Sequence, residues 1–289
     1  MNKNGLTGIV PFTYFVGGGK AVGSTFLRVD GVVNNSSQFE VWRHGKQYDN
    51  LIFQKVYWRE MMEVFKGPKI LDLCDPDWVT DLVEVIEIGK LVDAFTCSSP
   101  ELTTLIKNYF PEKPVVHVPD RLNFNLFTET RTPHTGLAKN VLWFGFIHNA
   151  YQTLPDLYAT IREYGLKLTI VADFPYDQDD EIKTLEPQFI QYDQQTVYQH
   201  IRQADIVLNP RSSRALYKFK SNNKSLIGWK LGVPVAENSN DIIRLMDATA
   251  RNKEVSDKLP IVNEHYNVQR SVEQYQELLS LLRMPIAQR

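Results

Sequence analysis

The stretch Ala204–Ala236, ADIVLNPRSSRALYKFKSNNKSLIGWKLGVPVA, decides how the rest of the chain is read. It opens on a short apolar run, Ile206–Leu208, which Asn209-Pro210 ends, and this predicts a buried strand. A basic loop follows, carrying Arg211, Arg214, Lys218, Lys220 and Lys224. Ser221, Asn222 and Asn223 are each candidate N-caps for a helix running through Leu231. Gly232 closes that helix, and Pro234 prevents it from resuming before a second strand at Val235-Ala236.

A loop that leaves a strand and enters a helix presents unpaired backbone N–H groups and the positive end of the helix dipole. Lysines and arginines beside it suit a doubly charged anion such as a diphosphate. A solvated basic loop with an ordinary helix cap is the plainer alternative. The position after an apolar strand and before a Gly-x-Pro strand start favours phosphate binding.

The run KSNNKSLIGWKLGVPVA resembles the donor-binding segment of GT-B glycosyltransferases, in particular the large retaining group that uses nucleotide-diphosphate sugars. The resemblance implies an α/β fold of two Rossmann-like domains facing across a cleft, with a reduced N-terminal domain. It implies transfer of a sugar to an acceptor hydroxyl, with no metal and no cofactor beyond the nucleotide sugar as donor substrate. Arg211, Lys220 and Lys224 would meet the charge of the diphosphate, and the Ser221–Asn223 backbone would supply N–H donors. One departure stands out. Many members of the group carry two glutamates flanking this loop, and aligning on Gly232 puts Phe219 and Ile227 at those positions. A subset with an S-x-N-K pattern holds the diphosphate through that motif instead, which SNNK at 221–224 resembles.

The chain has 289 residues and a formal charge of −2, so no global field favours nucleic acid or an anionic membrane. Its two cysteines, Cys74 and Cys97, lie far apart and outside any zinc-type spacing, as expected of reduced thiols in a cytoplasmic protein. No apolar stretch is long enough to span a bilayer. The run Leu6–Val16 follows Lys3 but is interrupted by Pro11 and lacks an A-x-A site, so it reads as a first strand, not a leader.

Gly17, Gly18 and Gly19 follow that run, and Ser24-Thr25 can start a helix. Gly18 and Gly23 have P-loop separation, but Ser24 stands where the lysine should be. In the resembled group this loop contacts donor or acceptor, and Arg28 reads equally as a cleft residue or a plain surface arginine. Further strands are expected at 39–42, 50–57, 69–74, 92–97 and 115–118. Helices are expected at 59–65, 78–88 and 98–110. Asp72 and Asp75 close the 69–74 run, where open α/β sheets place their ligands. They read as an acceptor-orienting pair or base, as a metal site, or as loop-capping aspartates before the next helix.

An interdomain connection is expected between Asp120 and Lys139, dividing an acceptor domain at 1–125 from a donor domain at 140–265. The second half predicts strands at 140–146, 166–172, 189–192, 206–208 and 235–236, with helices from Pro155 to Gly165, at 196–202 and at 241–249. Gly145 and Asn149 match the donor-lining loop of the resembled group. His148 is a candidate general acid or phosphate partner, though a lone histidine is more often structural. A last helix at 268–282 shows Val268, Val272, Tyr275, Leu278, Leu279 and Leu282 on one face, and the resemblance implies that residues 266–289 cross back to the first domain.

The expected partners are a nucleotide sugar and a glycan, lipid or small-molecule acceptor. A modified nucleic-acid base is a less favoured acceptor, given the acidic balance. A third reading is a GT-B fold without catalysis, used as a sensor or scaffold, which the missing glutamates favour.

Overall fold

The computed structural model describes residues 5–13, 23–75, 85–176, 180–211 and 215–284. Gly17, Gly18, Gly19 and Arg214 lie outside these residues, as does most of the helix expected at 78–88. The chain divides into two compact units: Met1–Asn123 with Lys218–Ser221 and Tyr266–Arg289, and Phe124–Tyr217 with Asn222–His265.

In the first unit, six parallel strands run in the order β2-β1-β3-β4-β5-β6. They are β1 (Thr7–Pro11), β2 (Phe39–Val41), β3 (Asn50–Gln54), β4 (Lys69–Leu73), β5 (Ala94–Cys97) and β6 (Val115–His117). Parallel neighbours require crossovers, and helices on both faces explain why β1, β3 and β5 are buried along their whole length. The connections include α1 (23–33, with a π turn at Phe26–Asp30), α2 (Arg59–Val64), α3 (Val85–Lys90) and α4 (Pro100–Tyr109). Ser99 caps α4 by accepting from Leu102 N at 3.2 Å, with Pro100 in the first turn.

One core of this unit packs Phe53, Leu71, Phe95, Leu102 and Ile106. The other packs Ile9, Val29, Ile52 and Ile70 against the apolar face of the C-terminal helix, which carries Val268, Val272, Tyr275, Leu278, Leu279 and Leu282. The first strand ends at Pro11, short of the expected residue 16. A proline donates no ladder hydrogen bond, and Phe12 N turns instead to Gln54 Oε1.

In the second unit, five parallel strands run β11-β10-β7-β8-β9. They are β7 (Asn140–Gly145), β8 (Lys167–Ala172), β9 (Gln188–Gln191), β10 (Ile206–Leu208) and β11 (Val235–Ala236). Helices α5 (Ile147–Thr153), α6 (Pro155–Glu163), α7 (Asp180–Lys183), α8 (Val197–Gln203), α9 (Asn223–Lys230), α10 (Ser239–Leu245) and α11 (Ala248–His265) follow in chain order, and α12 (Gln269–Arg283) belongs to the first unit. Trp143, Tyr158, Ile170, Ile206 and Ile242 sit in one core.

Three expectations are corrected here. Residues 147–149 form the first turn of α5 and not a loop. The β8–β9 connection contains α7, because a parallel pair cannot be joined by a hairpin. The helix expected at 241–249 is two helices, α10 and the 18-residue α11. No helix among the described residues is long and apolar enough to cross a membrane.

Candidate functional site

The basic segment is built onto the carboxyl end of β10. Asn209, just past the strand, donates through Nδ2 to Ser225 Oγ at 2.9 Å, and both side chains are buried. This bond seats the first turn of α9 against the strand end. Farther along α9, a Cβ at Gly228 would stand 3.0 Å from Val235 Cγ2 and 3.2 Å from Val233 O, so glycine permits the close helix–strand approach. Gly232, at φ +80°, terminates the helix as its sequence position predicts.

Asn222 occupies the N-cap position of α9 but makes no side-chain capping bond. Its Oδ1 accepts from Arg211 at 3.3 Å. The Lys224 ammonium lies over the Trp143 ring, 4.0 Å from its centroid, and 5.7 Å from that of Phe144. Gly145, at φ +139°, ends β7 beside it. Thus Arg211, Asn222, Lys224 and Gly145 gather at the carboxyl ends of β7 and β10, with Asn223 as the first residue of α9. Asn149 lies in the first turn of α5, where its N–H donates to Phe146 O at 2.9 Å. His148 is exposed on the same turn, with its ring 6.3 Å from that of Tyr151.

Lys218–Ser221 belongs to the first unit. Phe219 O accepts from Ser99 Oγ at 2.9 Å, and Ser221 Oγ donates to Asp120 Oδ2 at 2.5 Å. A serine hydroxyl has one proton to give. Ser221 gives it to Asp120, so its side chain is an anchor. Lys220 is half-buried next to it.

Arg28 is neither a cleft residue nor a surface arginine, and Asp72 is not an open carboxylate. Both are buried, paired through Nε to Oδ2 at 2.8 Å and Nη2 to Oδ1 at 2.5 Å. Asp72 Oδ1 also accepts from Thr96 Oγ1 at 2.6 Å and Tyr275 Oη at 3.1 Å. Burial lowers the Arg28 pKa, but the charges of Asp72 and Tyr275 outweigh it and hold the group well above its usual value. We therefore assign Asp72 no contact with substrate. Asp75 is different: its carboxylate is about one-third exposed and 2.8 Å from Lys55 Nζ. Lys55 itself has φ +54°, a conformation costly for a residue with a Cβ, at the carboxyl end of β3. Ser24 lies at this edge too, accepting from Gln54 Nε2 at 3.5 Å.

Sequence reading missed Asn209 as the bolt for α9, Trp143 as the platform for Lys224, and Asp120 as the partner of Ser221. The first carried a signal, since Asn209 stands directly after the strand. The other two depend on pairings that span 81 and 101 residues, the first being 224 minus 143. Among the described residues, no group of three or more His, Cys, Asp or Glu side chains could hold a metal ion. Cys74 and Cys97 are free and buried, and burial pushes the Cys97 thiol up to about 12.

No protein-family model matches the sequence, and no curated protein does. Solved structures do match. Anabaena Alr3699/HepE, crystallised with UDP and glucose, is 12% identical with a TM-score of 0.69, over 95% of this chain and 99% of that one. Sucrose-phosphate synthase from Thermosynechococcus elongatus is 13% identical with a TM-score of 0.64, over 81% and 74%. TarM is 11% identical with a TM-score of 0.62 over 80% of this chain, and the match spans 54% of TarM's own length. What this chain shares with them is the fold, GT-B, built from two Rossmann-like units.

Proposed function

We propose that this GT-B chain is a glycosyltransferase that moves a sugar from a nucleotide-diphosphate sugar to an acceptor hydroxyl, with retention of configuration and without a metal. The observation that carries the reading is the seating of Lys224 in the first turn of α9, over Trp143 and beside Gly145. A departing diphosphate develops negative charge on its bridging oxygen, and fixed cations and helix N–H groups can meet that charge without reorganising. Lys224 and Arg211 supply the cations, and the α9 turn at Asn223–Ser225 supplies the donors. The Trp143 and Phe144 rings beside the ammonium lower the local dielectric and strengthen its attraction for an anion.

In this reading Asp75, held by Lys55, orients the acceptor hydroxyl, and the exposed His148 is the acid candidate. In the same reading, residues 1–125 take the acceptor, residues 140–265 take the donor, and the C-terminal helix at 266–289 returns to the first domain. The donor is a nucleotide sugar and the acceptor a glycan, lipid or small molecule.

One observation favours a second reading, a nucleotide-sugar-binding protein without turnover. Ile227 is 7% exposed, so no carboxylate reaches a sugar from the position where the resembled group has one. Calorimetric titration with UDP, GDP and ADP, followed by assay of nucleoside diphosphate release from their glucose conjugates, separates the two. Binding with release supports the transferase, and binding without release supports the second reading. Absence of binding by any diphosphate at millimolar concentration overturns both.

A further inference from the structure

An open depression of about 460 Å³ lies in the second unit, lined by Thr130, Arg131, Thr132, Gln199, Arg202 and Gln203. Small-molecule sites span roughly 300–1,000 Å³, so the size suits a ligand of a few rings. Gln199 and Gln203 stand one turn apart on α8, which puts their amides on the same face. Thr130 and Thr132 flank Arg131 on the segment that leads to β7. From α8 the chain passes through Asp205 into the amino end of β10. Asp205 Oδ2 accepts from Lys139 N at 2.8 Å and from Asn140 N at 3.0 Å, at the start of β7. The depression therefore opens at the amino edge of this sheet, whereas Gly145 and Asn209 stand at its carboxyl edge. About 13 Å of strand separates Asp205 from Asn209.

Arg131 is held rigidly. Its Nη1 donates to Arg202 O at 2.9 Å and Ala204 O at 2.7 Å, and its Nη2 donates to Asp205 Oδ1 at 2.6 Å. Its backbone N–H donates to Leu231 O at 2.8 Å. Arg202 donates from Nη1 to Glu129. Two guanidinium charges thus meet two carboxylates, and the carbonyl end of α8 adds negative potential, so nothing here favours an anion. An apolar guest is no better served, since no aromatic or aliphatic hydrocarbon side chain lines the depression.

What the lining offers is groups that both give and accept hydrogen bonds. Each glutamine amide and each threonine hydroxyl has that double capacity. Among the described residues, these four side chains take no hydrogen-bond partner from the protein. A sugar hydroxyl has the same capacity, and neighbouring hydroxyls of a pyranose can meet the oxygen and nitrogen of one amide together.

We infer that this depression is a binding site for a neutral oligosaccharide, separate from the residues assigned to the donor. It stands apart from the donor reading, because it needs no diphosphate. In a chain active as a transferase, it selects a neutral glycan over a lipid or a small acceptor. In a chain without turnover, it is the place where a glycan is read.

The test follows the side-chain amide NMR signals of Gln199 and Gln203 in the full chain. Maltotriose, cellotriose, mannotriose and chitotriose are each titrated to high millimolar concentration, with inorganic phosphate as the charged control. At least one trisaccharide is expected to move both signals while the Asn223–Ser225 backbone signals stay in place. Gln199 and Gln203 are exposed, so replacing both by alanine leaves the fold intact. The double variant Gln199→Ala, Gln203→Ala is expected to bind that trisaccharide about tenfold more weakly or worse, for the lost hydrogen bonds. Failure of all four trisaccharides to move the signals overturns the inference. So does a response to phosphate in place of sugar, and so does sugar binding that survives the double substitution. None of these results bears on the donor reading, which the nucleoside diphosphate titration decides by itself.

Discussion

The Lys224 ammonium is 4.0 Å from the centroid of the Trp143 ring, and a Cβ added at Gly145 would stand 3.0 Å from the same nitrogen. Gly145 is thus the residue whose lack of a side chain lets the lysine settle on the indole. Its φ of +139° is itself a conformation that residues with a Cβ rarely adopt. Gly145→Ala is expected to displace the ammonium and lower affinity for the best-bound nucleoside diphosphate about tenfold. Lys224→Ala is expected to do the same and to flatten the salt dependence of binding, because a point charge has been removed. Titration calorimetry at two ionic strengths checks both. Full affinity in Lys224→Ala would take away the observation on which the proposed function stands.

The Arg28–Asp72 pair makes a stability prediction of its own. Removing one buried partner leaves the other charged, desolvated and unpaired, so Arg28→Met is expected to cost about 3–5 kcal/mol in urea unfolding. Arg28→Met combined with Asp72→Asn removes much of that uncompensated charge and is expected to cost clearly less than the sum of the two single changes. Strict additivity would mean that the two side chains do not act as a pair.

Strands β7, β8 and β10 were legible because each is a short apolar run closed by Gly145, Asp173 or Asn209, and β10, β11 and the start of α9 fall within a residue or two of their expected places. The face of α12 was legible because Val268, Val272, Tyr275, Leu278, Leu279 and Leu282 recur at helical spacing, and all six are buried. Helix α11 was not, and the reason is physical. It buries Arg251, Glu254 and Val262, so two of its three inward residues are charged, and it contains Pro260. Arg251 is wholly buried because its guanidinium donates to the carbonyls of Leu245, Met246, Thr135 and Gly136. A hydropathy pattern registers no such helix. The same blindness misread Arg28 and Asp72, whose charges suggested an open site 44 residues apart in sequence while their burial hides them.

His134 makes the fold sensitive to acid. The ring is 4% exposed, its Nε2 lies 3.1 Å from Gly232 O, and its buried Nδ1 has no hydrogen-bond partner. Burial, first, and the neighbouring Arg131 and Arg251 lower its pKa from 6.5 to about 4, against the contribution of Gly232 O. A folded pKa below the unfolded one means that the unfolded chain binds more protons between these values. The stabilisation is therefore complete above the unfolded pKa, near 6.5, and is lost as pH falls toward about 4. The slope from this one group approaches about 1.4 kcal/mol per pH unit within the window. Urea midpoints of wild type and His134→Gln from pH 7 to 4 test it. The wild type should lose stability faster, and parallel curves would assign the acid sensitivity elsewhere.

Ile227 decides whether the chain has lost a sugar-holding carboxylate or never had room for one. Its side chain is 7% exposed on α9, between Leu226 and Gly228, which are buried as well. A carboxylate at this position would be desolvated, so Ile227→Glu is expected to destabilise the protein at neutral pH by several kcal/mol. Desolvation raises the folded pKa of such a carboxyl above its unfolded value, so the folded state is the better proton binder. The penalty is therefore full at neutral pH and shrinks as pH falls through the raised pKa, giving a difference from wild type that narrows on acidification. Turnover is expected to stay flat or fall. A variant that keeps wild-type stability and releases nucleoside diphosphate faster would show position 227 open to the donor sugar, and the reading of α9 as a helix whose inner face ends at Ile227 would have to be redrawn.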